Sequence, residues 1–94
     1  MDANKQLDAL FDHIRRNGEF VERDHKTIGG MWTVDTWRDK ENHDLKVQLG
    51  DEGWTRTIVF PGLIAYRTGQ GNITFRKGTE EDLKKFYDQI MGEK

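Results

Sequence analysis

The chain has 94 residues, no cysteine and a formal net charge of -2, with a mean hydropathy of -0.90. A chain of this length reads as one domain over 1–94 with a modest core. The lack of cysteine excludes a disulfide framework and points to the reducing cytoplasm, no apolar run is long enough for a membrane span, and the slightly acidic balance gives no general footprint for nucleic acid.

The first segment predicts a helix. Leu7, Leu10, Phe11 and Ile14 recur at one helical face, with Asp2 or Asn4 as its cap. Arg15 and Arg16 fall in its last turn, and Asn17-Gly18 ends it with a glycine suited to a left-handed cap. Acidic residues are spread through the first twenty positions with no apolar core between them, so no secretory signal is expected.

Strand-like sequence follows. Phe20-Val21-Glu22 predicts a short strand, Met31 to Arg38 a longer one rich in aromatic and β-branched residues, and Leu45, Val47 and Leu49 a half-buried one. Trp54, Ile58 and Phe60 share one parity of a further strand, closed by Pro61-Gly62. Gly29-Gly30 predicts a bend, bulge or loop tip, and Asp39–Asp44 and Gly50–Gly53 read as polar turns.

Leu63–Thr68 and Asn72–Arg76 form a hairpin around Gly69-Gln70-Gly71. A three-residue loop pairs Thr68 with Asn72 and sets Ile64 and Tyr66 opposite in face to Ile73 and Phe75. A two-residue loop groups these four apolar residues and leaves Ala65, Arg67, Asn72, Thr74 and Arg76 on the other side. A one-residue slip exchanges the faces, so amphipathicity favours the two-residue loop with a type II′ turn. Thr79 then caps a final helix, with Asp82 completing a box and Leu83, Phe86, Tyr87, Ile90 and Met91 as its stripe.

The expected fold is α+β: four or five antiparallel strands with the N-terminal and C-terminal helices on one face, in αββββα order. The expected core holds Leu7, Leu10, Phe11, Ile14, Val47, Ile58, Phe60, Tyr66, Ile73, Phe75, Leu83, Phe86 and Ile90.

Catalytic signals are thin. The chain contains neither serine nor cysteine, so the usual nucleophiles are missing, and no catalytic residue is assigned. His13, His25 and His43 show no metal-ligand spacing. His43 lies among Asp39, Glu41 and Asp44, but that segment lacks the spacing of a calcium loop and reads as a solvated turn. The Gly-Gln-Gly turn is followed by a strand, so it is no phosphate loop. No metal and no cofactor are expected.

The informative residues are tryptophans and arginines. Trp32 and Trp37 stand five apart on one strand and so face opposite ways, which leaves one indole on the side away from the helices. Exposed tryptophan is common at contact sites. Arg67, Arg76 and Thr74 are expected on the polar hairpin face, with Arg56 nearby. The expected function is a non-enzymatic module that binds a protein partner, or a second copy of itself, through an exposed sheet face carrying Trp32 or Trp37, Arg56, Arg67, Thr74 and Arg76. The alternative is a small nucleic-acid- or nucleotide-binding domain using the arginine-bearing strands. In type, though not in any motif, the chain resembles small phage and mobile-element proteins that act by binding a host protein.

Overall fold

The computed structural model describes residues 2–26, 32–50, 54–69 and 71–92, with Lys26 and Trp32 described by their backbone alone. Gly29-Gly30, Met31, Gln70 and most of the Gly50–Gly53 turn lie outside the described residues.

Helix α1 (Ala3–Asn17) starts where the Asp2 carboxylate accepts the Lys5 amide at 2.9 Å. Six strands follow: β1 (Glu19–Lys26), β2 (Trp32–Arg38), β3 (Lys46–Gly50), β4 (Thr55–Phe60), β5 (Leu63–Thr68) and β6 (Thr74–Lys77). Helix α2 (Glu80–Met91) closes the described chain, and the Thr79–Asp82 capping box is formed in both directions. The strands pair in chain order as an antiparallel meander, β1-β2-β3-β4-β5-β6. The fold is therefore α+β as expected, with six strands in place of four or five.

Cross-strand partners share a face, so the register separates the sheet into two surfaces. Trp37, Val47, Ile58, Ala65 and Phe75 form one row, and Thr36, Gln48, Thr57, Tyr66 and Thr74 form the row on the opposite face. Both helices cover the first surface. Leu7, Leu10, Phe11 and Ile14 of α1, Leu83 of α2, and Val47, Ile58, Phe60, Leu63 and Ala65 of the sheet form one buried cluster. Phe86 meets Phe60 edge to face, with ring centroids 5.0 Å apart. Each large side chain so buried contributes about 1.5–3 kcal/mol.

Two bulges break the ladder. In β1 the register shifts between Phe20 and Glu22, leaving Val21 as the extra residue; in β6 Lys77 pairs with Ile64 and Phe75 with Ala65, leaving Arg76 as the extra residue. Bulges of this kind re-aim side chains at sheet edges.

Local expectations are corrected at Gly18 and at the β5–β6 hairpin. Gly18 is extended, at φ -100° and ψ -160°, and not left-handed. Its need for glycine is steric, because a Cβ there would run into the carbonyl oxygens of Arg38 and Ile14. The β5–β6 hairpin takes the three-residue register: Tyr66 pairs with Thr74 and Ala65 with Phe75. Tyr66 therefore leaves the core for the far face, and Arg67 enters the helix-covered side. The physical reason is packing beneath the helices. Ala65 is small enough to lie fully buried there, and Arg67 finds a dedicated set of polar partners, described next.

Candidate functional site

The arginines expected on one face are divided between two. Arg67 is only 8% exposed. Its Nη2 donates to Asp8 Oδ1 at 2.8 Å, its Nη1 to Asn4 Oδ1 at 3.2 Å and its Nε to the Gly69 carbonyl at 3.1 Å. Arg56 donates from Nη1 to the same Asp8 oxygen at 2.8 Å, with its guanidinium 5.7 Å from the centre of the Phe11 ring. These two arginines tie α1 to β4 and β5. Paired and hydrogen-bonded in this way, a charge is tolerated beneath a helix.

The tryptophans are placed differently from one another too. Trp37 lies on the helix-covered side, half-buried, with Phe20 at 5.3 Å and the Arg15 guanidinium 5.7 Å from its ring centre. Trp32 enters β2 through its pairing with Lys26, and its side chain is outside the described residues. The exposed indole among the described residues is that of Trp54, at 59%. It precedes β4 and lies over Gly69, whose φ is +60° and whose hypothetical Cβ would come within 2.6 Å of the ring.

The far face of the sheet carries no helix. On it Gln48, Thr57, Val59, Ile64, Tyr66 and Arg76 line a shallow open groove of about 410 Å³. Arg76 sits over Tyr66 with its guanidinium 5.2 Å from the ring centre, a cation–π contact that holds the side chain in place. Gln48 reaches Thr36 Oγ1 at 3.4 Å. No carboxylate lines the groove. Of the residues the sequence nominated, Thr74 and Arg76 lie on this face. Tyr66, Gln48 and Thr57 are additions; the three-residue hairpin register is the signal for Tyr66, and alternation with Val47 and Ile58 is the signal for Gln48 and Thr57.

The electrostatics change across the sheet. At the β1 end, Glu19 Oε2 accepts from Arg38 Nε at 2.6 Å with His43 Nε2 3.5 Å away. The Arg38 hydrogen bond holds the Glu19 carboxyl below its usual range, with weaker help from the charges of Arg38, His43 and Lys40. On the helix side, Asp35 accepts two bonds from Arg23 at 2.7 and 3.0 Å, and these lower its pKa in the same manner. The Asp39 carboxylate accepts the amides of Glu41 and Asn42, so it shapes the turn before β3.

Among the described residues, no helix is long and apolar enough to cross a membrane. Comparison with protein-family models, with curated proteins and with solved structures finds no match for this chain.

Proposed function

We propose that this protein is a non-catalytic interaction module that engages a protein partner through the helix-free face of its sheet. The groove around Tyr66 and Arg76 supports this reading most directly. It presents a planar aromatic, a held guanidinium and several hydroxyls, flanked by the half-buried Val59 and Ile64. A surface mixing Tyr, Arg and small polar groups is suited to protein contact.

The edges of the sheet suit partner binding less well. β1 is bulged and carries Glu19, Glu22, Arg23 and Asp24, and β6 has only four residues. Charged, bulged or short edges resist strand addition. The nucleic-acid alternative loses support because Arg56 and Arg67 are committed to Asp8 on the covered side.

Capture from the native host tests the reading. Thr57→Arg places a long charged side chain in the groove without touching the core. It should abolish recovery of the partner while Tm moves by about 4 °C or less, the range of ordinary surface changes. Undiminished recovery with Thr57→Arg, or recovery of nucleic acid in place of protein, would refute it.

A further inference from the structure

Building on that reading, we infer that the partner of the open face is a second copy of this chain, stacked sheet on sheet with the strand order reversed. The argument is one of charge. At the β1 end, Glu22 pairs in register with Thr36; it is exposed and has no ionic partner among the described residues. Glu19 lies one step along the same edge, opposite Arg38. At the β6 end, the bulge sets Arg76 and Lys77 against the single Ile64, and Arg76 turns onto Tyr66. Between these ends the central row is neutral: Gln48, Thr57 and Tyr66, with Thr36 beside them already buried within the chain.

A two-fold axis running along the strands, between two stacked sheets, lays β1 of one copy over β6 of the other, β2 over β5 and β3 over β4. Such an interface is isologous, so each contact occurs twice. Glu22 then meets the Thr74–Arg76 position of the other copy, and Glu19 meets its Lys77. Lys46 lies over Val59 and not over another cation. A two-fold axis across the strands would set Glu22 on Glu22 and Arg76 on Arg76, so the charges select the first arrangement. Packed sheets keep their strands within about 30° of alignment, which leaves these side chains within reach of one another.

Six strands about 4.8 Å apart, each about five residues long, present a projected face on the order of 400 Å². That is about half of a standard interface per partner, so the dimer belongs with weak, concentration-dependent contacts.

Analytical ultracentrifugation of the intact chain up to about 1 mM, where mass action favours a weak dimer, is the test. The mass should rise toward twice 11.0 kDa. Glu22→Lys alone and Arg76→Glu alone should each remain monomeric while folded by circular dichroism. A mixture of these two variants should recover the dimer, because both cross-contacts then pair opposite charges. A chain that stays monomeric at every concentration overturns the inference, and leaves the face to a different protein that the Thr57→Arg capture reads independently. A dimer indifferent to either charge reversal, or a mixture that stays monomeric, also overturns it.

Discussion

Arg67 shows how one side chain decides the register of a hairpin. Its three hydrogen bonds reach Asn4 and Asp8 of α1 and the Gly69 carbonyl at the hairpin tip. They form only if Arg67 lies beneath the helix, which carries Ala65 inward and Tyr66 outward with it. The Arg23–Asp35 pair operates more simply, across neighbouring strands. Because the Arg23 hydrogen bonds lower the Asp35 pKa, the pair adds stability that is fully present above the ordinary carboxylate range, near pH 4, and is lost as pH falls through the depressed value. Asp35→Asn should therefore melt below the parent at neutral pH, and the gap should close as pH falls below the ordinary carboxylate range. Thermal melts across that range check it, and a gap independent of pH would contradict it.

The helices were legible because capping and period-3.6 stripes are local. Asp2, Thr79–Asp82 and the Leu7–Ile14 stripe all act as their spacing implies. Strand positions were legible from alternation, and β5 matches its expected bounds. β1 was underestimated because Arg23, Asp24, His25 and Lys26 look like a turn, whereas an edge strand favours such charges. Amphipathicity alone places Arg67 with the solvent residues and so misassigns the hairpin faces, because its partners Asn4 and Asp8 on α1 lie some sixty positions away. The open face is legible as a location more than in its membership: of the nominated residues whose side chains are described, Thr74 and Arg76 lie on it, while Arg56, Arg67 and Trp37 lie on the covered side. Gly18 joins two elements, with the end of α1 pressed against β2. Gly18→Ala would drive a methyl into the backbone oxygens of Arg38 and Ile14, at a cost of about 2–3 kcal/mol. A fall in Tm of about 10 °C or more is expected. Melting unchanged by this substitution would show that α1 does not end against β2.

At the scale of the whole molecule, the sheet divides the work between its faces. The helix-covered side holds the apolar cluster and the paired arginines; the other side holds a polar groove that packing leaves open. Arg67 and Arg76 are nine residues apart on adjacent strands, yet one is enclosed and the other exposed. Their alanine variants therefore compare the two faces directly, in dilute protein where self-association adds nothing to stability. Arg67→Ala should cost about 2–3 kcal/mol through its lost buried bonds, lowering Tm by about 10 °C or more. Arg76→Ala should cost about 0.5 kcal/mol, a shift of about 4 °C or less. Equal shifts, or a larger one for Arg76→Ala, would contradict the division of faces on which the functional reading stands.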